Sequence, residues 1–140
     1  MAMKVSKVQM WVTGVQDVPG ALAAKLHALA EAGASLEFVL ARRTPEKKGE
    51  GVVFLIPLKG ARQLAAARKN RVRKSKSIHA IRVEGPDKRG MGARISGALA
   101  EAGINMRGLS ALVLGRKFVL YLALDSAADA AQAARVLGKI

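Results

Sequence analysis

The hexapeptide Ala28-Leu29-Ala30-Glu31-Ala32-Gly33 returns unchanged as Ala98-Leu99-Ala100-Glu101-Ala102-Gly103, 70 residues further on. An alanine-rich helix can produce one such match by chance. The same offset, however, also carries Asp17 onto Asp87, Gly20 onto Gly90 and the extended stretch at Val8 onto that at Ile78, and it is half of the 140-residue chain. A chain of this length holds either one ordinary domain or two modules of roughly 60–75 residues. A repeat at half-length selects two copies of one module. The expected division is 1–74 and 75–140.

Within each copy the hydrophobic period changes along the chain. Residues 8–13 alternate apolar and polar, as a half-buried strand does, and the turn-forming residues from Asp17 to Gly20 end the run. Leu22, Leu26 and Leu29 then share one helical face, with Pro19 suited to the first turn and Gly33 to the stop. Residues 35–42 and 51–58 read as a strand pair across a polar connection, and Leu64 and Ala65 belong to a second helix. Copy two repeats the plan: strand 78–83, helix 89–102, strands 105–114 and 118–125 around the turn Gly115-Arg116-Lys117, and helix 126–137. The alternation predicts an α+β fold of two ferredoxin-like βαββαβ modules, with antiparallel sheets and both helices on one face. In 52–58 and 118–124 both period-2 sets are apolar. Two helices cover only one face of a sheet, so the other is expected to meet another sheet or a partner chain, which makes a homo-oligomer, a dimer, the expected assembly.

Composition removes several classes of function. With 51% hydrophobic residues the chain has the material for a core. Cysteine is absent, which excludes disulfides, thiolate zinc sites and cysteine nucleophiles. His27 and His79 have no acidic cluster beside them, so no metal is expected. Gly90-Met91-Gly92 lacks the third glycine of a dinucleotide fingerprint, Ile95 standing in its place, and no cofactor is expected. No serine, histidine and carboxylate set gathers near a loop, so catalysis is not expected either. The N-terminus lacks the apolar stretch of a signal peptide, and no apolar run approaches the roughly 20 residues of a membrane span. A cytoplasmic protein without membrane contact is the expectation.

Asp17-Val18-Pro19-Gly20-Ala21-Leu22 ahead of Ala30-Glu31-Ala32-Gly33-Ala34-Ser35-Leu36, with Asp87-Lys88-Arg89-Gly90 and Glu101-Ala102-Gly103-Ile104-Asn105-Met106 in the second copy, resembles the ACT domain family. The resemblance spans nearly the whole chain. Copy two departs from it by lacking the proline and by having Gly92 where Leu22 stands. The resemblance implies a regulatory protein that binds an amino-acid-type small molecule where modules or subunits meet. Its contacts would come from the strand-to-helix loops, Asp17, Val18, Pro19, Gly20 and Ala21 in one copy and Asp87, Lys88, Arg89, Gly90 and Met91 in the other. Ser35, Leu36, Ile104 and Asn105, at the start of the next strand, would complete them. The chemistry of such loops agrees, because a helix N-terminus offers unpaired N–H groups to a carboxylate while an aspartate can hold an ammonium group. The same residues also have plain structural uses: Asp17 and Asp87 as helix N-caps, the glycines as turn formers, Asn105 as a turn residue bonded to its own backbone. Lys88 and Arg89 replace Val18 and Pro19, which predicts a preference for a more anionic ligand in copy two, or else simply solvated charge. The family closes each sheet with a fourth strand. Here residues 71–77 are basic, and copy two ends soon after its last helix.

Arg68, Lys69, Arg71, Arg73, Lys74 and Lys76 place six cations in nine positions of a chain whose net charge is +14. Such a run can neutralise phosphates, so nucleic acid is the competing partner. Aromatic residues are only 4% of the chain, which leaves little for bases to stack on.

Overall fold

The computed structural model describes residues 3–140. In chain order the elements are β1 (Lys4–Val8), β2 (Trp11–Gln16), α1 (Ala21–Glu31), β3 (Phe38–Arg43), β4 (Glu50–Ile56), α2 (Gly60–Lys69) and β5 (Arg73–Lys74). The second half follows with β6 (His79–Pro86), α3 (Met91–Glu101), β7 (Gly108–Leu114), β8 (Lys117–Leu124) and α4 (Ala127–Leu137). The fold is α+β, with two antiparallel four-stranded sheets of order β3-β4-β2-β5 and β1-β6-β8-β7.

The repeat is visible in the coordinates. α1 and α3 begin and end at the 70-residue offset, each preceded by a left-handed glycine, Gly20 at φ 90° and Gly90 at φ 81°. Each helix stops in the same way. Gly33 and Gly103 adopt positive φ, and the next N–H, of Ala34 or Ile104, returns to the carbonyl of Leu29 or Leu99 at 3.0 and 2.9 Å. That is the hydrogen-bonded C-terminal turn for which glycine is favoured. The β7–β8 turn is shorter than expected. Leu114 pairs directly with Lys117, so only Gly115 and Arg116 form it, with glycine at the first central position.

The chain divides differently from the expected 1–74 and 75–140. One unit is Gln9–Ser75, and the other joins the chain up to Val8 to Lys76–Ile140. The expected first strand, 8–13, is two strands in different sheets: β1 pairs with β6 from Lys4↔Glu84 to Val8↔Ala80, while β2 pairs with β4. Both sheets therefore have a fourth strand, which only the first copy supplies in its own sequence order, after its second helix. In the Gln9–Ser75 unit it is the two-residue β5, and in the other unit it is the N-terminal β1. The physical reason is backbone pairing, since an unpaired edge of β6 is satisfied by any strand that reaches it.

Each unit buries its own core beneath two helices. Leu29, Val53, Leu55, Ala67 and Trp11 anchor the first. Ile81, Ile95, Leu99, Leu120, Leu122 and Leu137 anchor the second, with Val5 of β1 packed against them. Leu29 and Leu99 are equivalent in the repeat and fully buried. Truncating either, Leu29→Ala or Leu99→Ala, is expected to cost about 2–5 kcal/mol, read as a lowered urea midpoint.

Candidate functional site

The strand-to-helix loops have one backbone design in both copies. After β2 or β6 the chain is tied to the hairpin of its own sheet, Asp17 N–H donating to Gly49 O at 2.9 Å and Asp87 N–H to Arg116 O at 2.8 Å. Gly20 and Gly90 then turn the chain into the helix, and their carbonyls accept from Ala24 and Arg94 at 3.0 and 2.9 Å. The helix N-caps are these glycines, without any side-chain cap, so the capping use of Asp17 and Asp87 is corrected. A left-handed residue at the cap displaces the aspartate three positions upstream. Asp17 instead pairs with Arg43 of β3 at 2.8 Å, with 38% of its side chain and 83% of the arginine's exposed. A pair so open contributes about 0–1 kcal/mol. A Cβ placed on Gly20 or Gly90 would meet nothing within 4 Å, so both loops open onto free space.

The expected loop residues separate into two groups. Val18, Pro19, Lys88 and Arg89 are exposed, and Val18 keeps 55% of its surface. Ala21 is half-buried, and Met91 is a core side chain at 6%. At the next strand, Ser35 and Asn105 are exposed. Leu36 packs against the first core, and Ile104 belongs to the second. Met91 and Ile104 are thus committed to packing, and only their backbone faces a loop. β3 and β7 start at Phe38 and Gly108, three residues later than the sequence reading placed them.

A cavity of about 770 Å³ borders the first loop at Gln16 and Ala21. It was not anticipated from the sequence, because its walls come from separate elements: Lys25 of α1, Arg42 of β3, Arg71 in the turn after α2, and Arg73 of β5. Lys25 donates from Nζ to Thr13 Oγ1 at 2.9 Å and to Asn70 O at 2.5 Å. Burial, and then the Arg71 guanidinium, hold this ammonium below the usual lysine range. In the other unit a smaller cavity of about 550 Å³ lies at the matching end of the sheet, with Lys4, Glu84, Arg116 and Lys117 on it. There Glu84 is bonded to Arg82, which also donates to Tyr121 Oη at 3.2 Å. The bond from Arg82 holds the Glu84 carboxyl below its ordinary range.

The basic run is not a continuous stretch of one element. Arg68 and Lys69 close α2, where cations suit the helix C-terminus, Arg71 occupies a left-handed turn at φ 60°, and Arg73 and Lys74 form β5. All six, including Lys76, are exposed. Trp11 is buried at 7%, with Lys74 Nζ 5.8 Å from its ring centre, so it offers no stacking surface. Among the described residues no group of histidine, aspartate and glutamate could hold a metal ion, and no helix is long and apolar enough to cross a membrane.

Comparison of the coordinates with solved structures decides the fold. A protein of Bacteroides thetaiotaomicron, BT0572, superposes with a TM-score of 0.77 at 13% identity, over 94% of this chain and 88% of that one. The regulatory subunit of aspartate kinase from Thermus thermophilus, in its ligand-free form, gives 0.66 at 16% identity, over 99% and 96%. That from Thermus flavus gives 0.63 at 16%, over the same shares. The fold is that of the ACT-domain family. No protein-family model matches the sequence, and no curated protein does either. The paired ACT fold is thus legible in the backbone at identities where few side chains are shared.

With no side chain contacting the loop glycines, Gly20→Ala and Gly90→Ala test the backbone alone. Each is expected to cost about 1–2 kcal/mol from the left-handed φ, while Asp17→Ala costs under about 1 kcal/mol. Paired denaturant titrations check that order.

Proposed function

We propose that this chain is a regulatory protein that binds a small amino-acid-type ligand at its strand-to-helix loops and transmits occupancy through assembly. The observation that carries this reading is the pair of loops, both open above a left-handed glycine at a helix N-terminus, within a fold shared with aspartate kinase regulatory subunits. Each loop offers backbone N–H groups to a carboxylate. Asp17 supplies the counter-charge for an ammonium group, and its weak surface pair with Arg43 can be exchanged for a ligand contact. The role is regulatory rather than catalytic. A ligand that binds only the assembled, folded state stabilises it by mass action, and assembly and occupancy are then reciprocally coupled.

The proposed contact between copies is β7. It is a sheet edge of seven residues, Gly-Leu-Ser-Ala-Leu-Val-Leu, without a charge, and Leu109, Leu112, Val113 and Leu114 are all exposed. Natural edges are normally blunted by charge; β3, the corresponding edge of the other sheet, ends in Arg42 and Arg43. Antiparallel pairing of two β7 strands about Ala111 sets Leu109 against Val113 and Gly108 against Leu114, with uncharged Ser110 opposite Leu112, so that no charge is brought to the twofold contact.

A thermal-shift screen of the common amino acids tests the ligand. At 100-fold excess over Kd, stabilisation of about 2.7 kcal/mol is expected, and it should vanish in Asp17→Ala or Gly90→Val. Silence towards every amino acid would refute the sensor. Light scattering tests the edge: the wild-type chain should be dimeric and Leu112→Lys monomeric, and a wild-type monomer at high concentration contradicts the β7 contact.

A further inference from the structure

The cationic cavity of the Gln9–Ser75 unit has chemistry that an amino-acid site does not need. Five cationic side chains line it, against the single carboxylate of Glu50. Among the described residues no carboxylate lies within ion-pair distance of Lys25, Arg42, Arg71 or Arg73. Lys25 spends two of its three donors on neutral oxygens, so its charge stays uncompensated in a half-buried position. Arg71 holds a left-handed φ of 60°, a conformation that disfavours any residue with a side chain, and this puts a second cation at the same wall. Crowding like charges is unfavourable unless something else removes the cost.

The repeat supplies an internal control. At the 70-residue offset Thr13 becomes Val83 and Lys25 becomes Ile95, both fully buried and apolar, and Arg42 becomes Leu112. By strand pairing, Arg73 opposite Val12 matches Ser6 opposite Arg82. The other unit therefore folds with apolar residues at the Thr13, Lys25 and Arg42 positions, and the charges of its β6, Arg82 and Glu84, are paired with each other, so packing does not require Lys25 or Arg42 to be cations. The opening itself comes from the short fourth strand. β5 covers β2 only at Trp11 and Val12, whereas β1 covers β6 over five pairs. The register also places Val12 and Phe54 beside Arg73, and Gly14 and Val52 beside Arg42, on one sheet face. An apolar floor is thereby flanked by two guanidinium groups, while Thr13, and Lys25 bonded to it, belong to the opposite, helix-covered face and line the cavity where β5 leaves the edge of β2 open.

We propose that this cavity binds a small polyanion, a phosphate ester or a polycarboxylate with two or more negative charges and no ammonium group. Arginine forks and the Lys25 ammonium suit doubly charged oxygen groups, and the surrounding cations repel the ammonium of an amino acid. The cavity touches the proposed amino-acid contacts only at Ala21, and none of its cations is among them. Calorimetric titration of the full chain with pyrophosphate, citrate and aspartate, at physiological salt, tests it. Pyrophosphate or citrate should bind at one site per chain, the better of the two identifying the chemistry, and saturating aspartate, wherever else it binds, should not displace the bound anion. The double variant Thr13→Val, Lys25→Ile, which installs the residues of the other copy, should weaken binding about tenfold or more. Arg71→Gly should weaken it similarly while raising Tm, because glycine relieves the backbone. Neutralising Lys4, Arg116 and Lys117 in the other unit should leave affinity unchanged. Binding of neither anion, equal weakening by the Lys4, Arg116 and Lys117 control, or displacement of the anion only by oligonucleotide would overturn the proposal, the last in favour of nucleic acid.

Discussion

The ladder between β1 and β6 is the interaction on which the architecture rests. Five residue pairs, Lys4↔Glu84 to Val8↔Ala80, join the chain's beginning to a strand some 75 residues later. Without them β6 is an open edge, its sheet has three strands, and Val5 leaves the core it shares with Ile81 and Leu99. With them, the Gln9–Ser75 unit becomes an insertion after the first strand of the other. The entropy of closing so long a loop grows only logarithmically with length, which is why a short ladder with an apolar anchor suffices.

Duplication of one module allows the two copies to be read against each other, and their differences carry the chemistry. Positions that maintain the fold are the same kind in both: Leu29 and Leu99 in the cores, Gly20 and Gly90 before the helices, Gly33 and Gly103 after them. Other positions, at the sheet rims and at one place inside the core, have diverged. The Gln9–Ser75 unit concentrates cations around a shortened sheet edge, and its Lys25 bonds Thr13 where the other unit packs Ile95 and Val83. The other unit instead presents an uncharged edge strand and keeps Glu84, Arg82 and Tyr121 in one polar cluster. A fold of this kind constrains its core and leaves its rims free, so specificity is decided there.

Much of the fold was readable because its signals are local. Helical spacing of Leu22, Leu26 and Leu29, the glycines closing α1 and α3, and the apolar strand 118–124 each follow from a few neighbouring residues. The site was read less completely. The candidate loops at Asp17 and at Asp87 are exposed, yet Met91 and Ile104 within the candidate set are core residues. Periodicity continuing from the helix at Met91-x-x-x-Ile95-x-x-x-Leu99 was the available signal that Met91 belongs to the apolar stripe.

The sequence by itself determined the duplication, the four helices with the hairpins between them and the excess of positive charge, all properties of near neighbours or of a fixed offset. Only the tertiary structure decided which sheet each strand joins and which cations share a wall. Lys25, Arg42, Arg71 and Arg73 are up to 48 residues apart in the chain and meet only because β2, β3, β5 and α1 are packed into one unit. Strand pairing and cavity formation depend on which backbone edge lies within hydrogen-bonding reach after folding, a three-dimensional quantity that no local pattern of residues encodes.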